Sequence, residues 1–243
     1  MKRGLFTVTS NEALAPGTFR MVLTGDTSAI TGPGQFVNIA LEGRFLRRPI
    51  SVCDWADGRL TIIYKVVGKG TDQMSRLPVG ARLDLLTGLG NGYDLDKSGD
   101  KPLLIGGGAG VPPMFALAKK LLAQGKSPAV ILGFNKAEEL FLENDFRALG
   151  VPVTVATADG SLGVKGFVTD AMPQAGYTHV YTCGPEPMLK AIYDKSVTSG
   201  QFSFEERMGC GFGACMGCTC KTKYGNKRIC REGPVLEKEE IIW

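Results

Sequence analysis

The rhythm of apolar and polar positions along this chain changes twice. From the N-terminus to about residue 97 the apolar positions fall in short, often alternating runs rich in β-branched residues. Phe6 to Thr9, Thr18 to Leu23, Gln35 to Leu41, Ile50 to Cys53 and Leu60 to Val67 read as strands, because alternation lines one face of a pleated ribbon with apolar side chains. Turn signals such as Thr31-Gly32-Pro33-Gly34 and Asp57-Gly58 separate them. Short strands at this spacing predict a small antiparallel β-barrel. One short helix is expected after Lys69-Gly70-Thr71, closed by Pro78.

Near Lys101 the pattern turns to strands and helices in alternation. Pro102 to Ile105, Ala129 to Phe134, Val151 to Thr157 and His179 to Cys183 read as strands. Met114 to Gln124, Ala137 to Leu149, Phe167 to Ala171 and Pro187 to Val197 read as helices. Such alternation predicts a parallel sheet covered on both faces, with ligands at the carboxyl ends of the strands. From about residue 201 the alternation stops. The expected organisation is a barrel over residues 1–97, an α/β domain over 98–200 and a small C-terminal subdomain over 201–243.

A hydrophobic share of 44% and a charged share of 21% are those of an ordinary globular protein. The net charge of +4 is mild and its cations are scattered, which speaks against a nucleic-acid partner or a membrane surface. No apolar stretch is long enough to span a bilayer, and the first residues lack the apolar core of a signal peptide. Seven cysteines without a secretory signal point to a cytoplasmic, reducing setting and to metal or redox roles.

The cysteines concentrate the chemistry. Cys210, Cys215 and Cys218 follow a C-x4-C-x2-C pattern, with Cys230 a short hairpin further on. That is the plant-type spacing for a [2Fe–2S] cluster. Gly211, Gly213 and Gly217 would let backbone N–H groups wrap an anionic cluster. Structural zinc and disulfides are the competing readings. Zinc usually takes paired C-x2-C knuckles, and here only Cys215 and Cys218 have that spacing. Cys220 would share a side with Cys218 on an extended segment, but the spacing is already filled without it.

Other stretches suit anionic cofactors. Arg47-Arg48-Pro49-Ile50-Ser51 sets cations and a hydroxyl around an apolar position on a barrel strand. Gly68-Lys69-Gly70-Thr71 offers free N–H groups to phosphate before a short helix. Gly106-Gly107-Gly108-Ala109-Gly110 follows a buried strand as a dinucleotide-type turn, without the full G-x-G-x-x-G fingerprint. No acidic residue marks the ribose position at Phe134-Asn135-Lys136, so NAD and NADP both stay open. Cys183-Gly184-Pro185 leaves a strand and opens a helix, and Cys183 reads either as the residue beside a nicotinamide or as a buried cysteine before a tight turn. Cys53 reads as core. His179, the only histidine, reads as structural.

Taken in this order, the stretches resemble the ferredoxin–NADP reductase superfamily, in which a flavin barrel precedes a nicotinamide domain. Arg48-Pro49-Ile50-Ser51 fits that superfamily's Arg-x-Tyr-Ser/Thr motif, with Ile50 in place of the usual Tyr. The C-terminal cysteines narrow the resemblance to the electron-transfer subunits of the NAD-linked, two-subunit dihydroorotate dehydrogenases of bacteria. The resemblance implies FAD on the barrel at Arg48, Pro49, Ile50 and Ser51, at Ile63, Tyr64 and Lys65, and at Gly70 and Thr71. It implies NAD(H) at Gly106, Gly107, Gly108, Gly110, Cys183, Gly184 and Pro185, with Cys183 in the catalytic place. It implies a [2Fe–2S] cluster on Cys210, Cys215, Cys218 and Cys230. It also implies a partner subunit that carries FMN and oxidises dihydroorotate in pyrimidine biosynthesis, in a heterotetramer of two copies of each chain. Electrons would run from that FMN through the cluster and FAD to NAD+. A flavin and iron–sulfur NAD(P)H reductase serving another redox partner is the alternative.

Overall fold

The computed structural model describes all of residues 1–243. The N-terminal part is a closed antiparallel barrel of six strands. They are β1 (Lys2–Ala15), β2 (Thr18–Thr24), β3 (Phe36–Ile39), β4 (Arg48–Ala56), β5 (Arg59–Lys65) and β6 (Arg82–Leu89), in the order β1-β2-β5-β4-β3-β6. Alternation turns Phe6, Val8, Met21, Leu23, Val37, Ile39 and Leu85 into the barrel core. The expected helix is α1 (Lys69–Ser75), and its Met74 is fully buried in that same core. Burying such a side chain contributes about 1.5–3 kcal/mol.

Strand β6 was not expected from the sequence. It begins just after Pro78-Val79-Gly80 and ends inside Gly88-Leu89-Gly90, stretches that read locally as loop. Its place is fixed by pairing with both β1 and β3, which closes the barrel and removes its open edges.

The second sheet has seven strands. Its elements are β7 (Leu103–Gly107), α2 (Val111–Ala123), β8 (Ala129–Phe134), α3 (Glu143–Ala148), β9 (Val153–Thr157), β10 (Val164–Lys165), α4 (Val168–Ala171), β11 (Val180–Cys183), α5 (Glu186–Lys195) and β12 (Gly200–Ser203). A hairpin, β13 (Thr219–Thr222) and β14 (Gly225–Arg228), stands apart, and β15 (Val235–Glu237) returns to the sheet. The order is β10-β9-β8-β7-β11-β12-β15, parallel except for β15. The chain runs outward from β7 in one direction, then crosses to β11 on its other side. The switch point between β7 and β11 leaves a crevice at the strands' carboxyl ends.

Two local expectations change. The helix read over Ala137 to Leu149 is a 3-10 turn at Ala137–Glu139 followed by α3 from Glu143. Phe141 turns inward against Phe134, ring centroids 5.2 Å apart, and Leu142 takes a positive φ of 63°. A continuous helix could not bury both. The sheet also runs past residue 201, because β12 and β15 extend it from β11. The stretch read as a separate cysteine subdomain thus lends the sheet its edge.

Shared cores bind the parts into one body. Cys53 and Ile63 of the barrel pack with Met114 and Leu117 of α2. Phe36, Leu86 and Leu89 of the barrel pack with Cys218, Ile229 and Cys230, and with Ile105 and Ile131 of the sheet. No helix is long and apolar enough to cross a membrane.

Candidate electron-transfer site

The cysteine loop gathers its thiols as two pairs. Cys210 and Cys215 form one, each backbone N–H donating to the other's Sγ at 3.4 Å. Cys218 and Cys230 form the other, with Sγ atoms 3.2 Å apart in the core. No three of these donors surround one ion-sized centre. Two pairs are what a binuclear cluster requires, since each iron takes two thiolates besides the bridging sulfides. All seven cysteines are free thiols.

The loop is also electrically suited to thiolates. Burial would raise the Cys210 thiol, but N–H groups from Phe212, Cys215 and Ala214 reach its sulfur and hold it down at about 6. The Cys230 thiol is pushed up to about 12 by burial and by the nearby Cys218 sulfur. A metal that binds there must displace its proton. Gly211 and Gly213 take positive φ, which lets the loop turn its N–H groups inward.

Residues that the sequence did not single out hold this loop. Arg228 donates to the Gly213 carbonyl at 2.7 Å and forms a bidentate pair with Glu232. That pair holds the Glu232 carboxyl down at about 2. The i, i+4 spacing of Arg228 and Glu232 was the only local signal. Asn38 of β3 donates from Nδ2 to the Cys210 carbonyl at 3.2 Å. Cys220 is half-buried on β13, and burial raises its thiol.

On the barrel the two arginines separate. Arg47 is engaged by Asp84 and by the carbonyls of Asn38 and Asp84. Arg48 has no carboxylate partner among the ion pairs, and its guanidinium lies over Gly70 at the start of α1. A Cβ on Gly70 would stand 2.0 Å from Arg48 Nε. The result is an uncompensated cation above a close backbone, which suits a pyrophosphate. Thr71 Oγ1 accepts from the N–H groups of Val67 and Gly68, fixing that turn. Pro49 and Ser51 lie on the outer face of β4, opposite Asn38 and Phe36. Ile50 packs against the barrel core. Tyr64 turns its ring into the barrel and donates to Asn11 at 3.0 Å, so only its backbone faces outward.

Lys65 opens onto a cleft at the switch point, a cavity of about 530 Å³ floored by Gly108, Ala109 and Phe134 and walled by Pro185 and Met188. Lys65, Gly108 and Phe134 also line the smaller cavity that reaches Ile63 and Thr18 on the barrel. The two ligand-type turns meet beneath the cleft. A Cβ on Gly110 would stand 2.1 Å from the Cys183 carbonyl oxygen, and one on Gly107 2.4 Å from the Met188 sulfur. A Cβ on Gly106 would stand 2.8 Å from the Val111 Cα. Gly184 completes the contact, 3.3 Å from the Gly107 nitrogen on the same construction. Bare backbone from both sides of the switch point is what a dinucleotide needs for close approach. Cys183 ends β11, and burial raises its thiol to about 12.

His179 is buried, 4.7 Å from the Tyr181 ring. Burial lowers its pKa, which keeps it neutral and out of proton transfer.

Comparisons with known proteins agree with this layout. Residues 205–242 match the iron–sulfur cluster binding domain of dihydroorotate dehydrogenase B, and residues 104–194 the oxidoreductase NAD-binding domain. The chain is similar to the electron transfer subunit of dihydroorotate dehydrogenase B (NAD(+)) from Fusobacterium nucleatum subsp. nucleatum, with 42% identity over 97% of this chain and 96% of that one. The corresponding subunit of Bacillus velezensis is 40% identical over 99% of both. A solved NADH-dependent reduced ferredoxin–NADP oxidoreductase, studied for flavin-based electron bifurcation, superposes with a TM-score of 0.90 at 28% identity. That match covers 98% of this chain and 90% of the other.

Proposed function

The chain belongs to the family of dihydroorotate dehydrogenase B electron-transfer subunits, and from that premise we propose how its residues carry electrons. It is an oxidoreductase subunit that works with a [2Fe–2S] cluster, FAD and NAD+ in pyrimidine biosynthesis. FAD, when bound, exchanges a hydride with nicotinamide and single electrons with the cluster, and the protein supplies orientation, tuning and exclusion of oxygen.

The chain's own residues divide that labour. Cys210, Cys215, Cys218 and Cys230 hold the cluster, and the N–H groups around Cys210 favour its extra negative charge on reduction. Arg48 and Gly70 hold the pyrophosphate of FAD, with Thr71 shaping the turn. Pro49, Ile50, Ser51, Ile63, Tyr64 and Lys65 form the bed for its ring and arm. Gly106, Gly107, Gly108 and Gly110 take the phosphates of NAD(H). Cys183, Gly184 and Pro185 would present the nicotinamide, with Cys183 offering a neutral thiol at the end of β11. The working units are residues 1–97, 98–200 and 201–243, the last giving β12 and β15 to the sheet.

The observation that carries this reading is the shared core. Cys218 and Cys230 share one buried core with Phe36 of the flavin barrel and Ile105 of the nicotinamide sheet. One rigid body therefore sets all three sites. The catalytic partner carries FMN and oxidises dihydroorotate, in a heterotetramer of two copies of each chain. It docks beside the cysteine loop, where Phe212 and Met216 are 41% and 54% exposed. A cytoplasmic setting suits seven unpaired thiols.

The test is the visible spectrum of anaerobically purified protein before and after NADH. Flavin bands with an iron–sulfur shoulder, bleached by NADH, support the reading. A folded protein with neither chromophore overturns it.

A further inference from the structure

Strand β3 is short, and its side chains divide cleanly. Val37 and Ile39 fill the barrel core, while Phe36 and Asn38 point outward. The outward pair faces the cysteine region: Phe36 lies in the same buried core as Cys218 and Cys230, and Asn38 lies against Cys210 and Gly211. Asn38 is 1% exposed. Its Nδ2 donates to the Cys210 carbonyl at 3.2 Å, and its Oδ1 has no partner at all.

A buried amide with a bare acceptor is costly to keep. The barrel gives this side chain nothing in return, since its one hydrogen bond goes to the cysteine loop. An apolar residue would serve the barrel better. The loop is fitted to the amide in turn. Gly211 takes a φ of 79°, and a Cβ there would stand 2.3 Å from Asn38 Nδ2. The peptide so gripped joins Cys210 to Gly211, just before the turn whose N–H groups point at the Cys210 sulfur.

We propose that Asn38 is a positioning residue that locks the cluster-bearing loop to the flavin-binding barrel, and so sets both the potential of the cluster and its electronic contact with FAD. The inference rests on the assignment of the cluster to these cysteines. Hydrogen bonds to cluster sulfurs favour the reduced, more negative state, so a loop released from Asn38 that loses them lowers the reduction potential. The altered contact also slows the one-electron step between FAD and the cluster.

The test uses the purified, cluster-loaded and flavin-loaded chain with Asn38→Leu and Asn38→Asp. The first removes the amide at similar size, and the second keeps the shape but loses the donor. The readouts are iron and sulfide content, the electron paramagnetic resonance spectrum of the reduced cluster, a redox titration and rapid-mixing reduction by NADH. Reduction of FAD by NADH keeps the wild-type rate. The cluster signal changes shape, its potential moves down, and electron arrival on the cluster slows by about tenfold, the lower end for outer-sphere changes at metal sites. Either variant, with full iron and an unchanged spectrum, potential and transfer rate, overturns the role of Asn38 alone. A wild-type chain without any iron–sulfur signal overturns the cluster assignment and this inference with it.

Discussion

Gly70 and Arg48 touch so closely that a β-carbon on the glycine would stand 2.0 Å from the arginine's Nε. The contact joins a helix start to a barrel strand and leaves the guanidinium without a carboxylate partner. Gly70→Ala must therefore displace Arg48 from the place where a pyrophosphate would meet it. A charged hydrogen bond is worth about 1.5–3 kcal/mol, so FAD affinity should fall roughly 10- to 100-fold. Flavin fluorescence released on dilution measures this. Gly32→Ala, made where a Cβ meets nothing within 4 Å, should leave the affinity alone. Equal affinity in all three proteins would remove Arg48 from the FAD site.

The same contact shows what the sequence could and could not reveal. Each ligand-type stretch was legible because its chemistry is local: a cation beside a strand, glycines after a strand, thiols at fixed spacing. Which of Arg47 and Arg48 lacks a carboxylate partner was not legible from the residues themselves, and only the resemblance singled out Arg48. Asp84 decides it, 37 residues away, by engaging Arg47. Asn38 was hidden for a similar reason. One polar residue in a short strand acquires meaning only when Cys210, 172 residues later, folds against it. Strands β6, β12 and β15 were missed because three to eight residues with glycines at their edges are made strands by their partners, not by their own pattern. The other five barrel strands and the alternation of strands and helices from β7 to α5 were readable, because their apolar runs carry the period themselves.

The meeting of Gly110 with the Cys183 carbonyl gives a second prediction. The oxygen is backbone and cannot swing away, so Gly110→Ala must part the two turns beneath the cleft. Misplacing a bound reactant by about 1 Å can cost roughly 10²-fold in rate. Rapid mixing with NADH should show FAD reduction slowed by about that factor, while FAD content stays full. An unchanged rate would mean that nicotinamide binds elsewhere.

Cys183 adds a pH prediction. Its thiol is raised from an ordinary value of 9.0 to about 12, first by burial, and Ser203 offsets this only in part. A group whose folded pKa is raised contributes stability that is complete below pH 9 and is lost as the pH climbs toward 12. Replacing it by alanine removes that dependence. The melting temperature of Cys183→Ala should therefore fall less steeply than that of the wild type between pH 9 and 12. Near pH 7 the thiol stays neutral, so hydride transfer should show no titration from this residue. Parallel melting curves across the alkaline range would place Cys183 in contact with water.

Cys215→Ser separates the two halves of the electron path. Cys215 is exposed, its sulfur bonded only by the Cys210 N–H, so the change leaves the packed thiols Cys218 and Cys230 in the core. The barrel, the switch-point cleft and the contact between Arg48 and Gly70 do not involve it. A serine hydroxyl is a poor substitute for a thiolate toward iron. The cluster should be lost or its spectrum altered, and electron exchange with the catalytic partner should stop. Reduction of FAD by NADH should continue at close to the wild-type rate, because both of its sites stand intact. Anaerobic reduction by NADH, followed by addition of the partner subunit and dihydroorotate, reads the two steps separately. If the folded variant lost both steps together, hydride transfer would itself depend on the cysteine loop, and the division into a flavin–nicotinamide unit and a cluster relay would have to be abandoned.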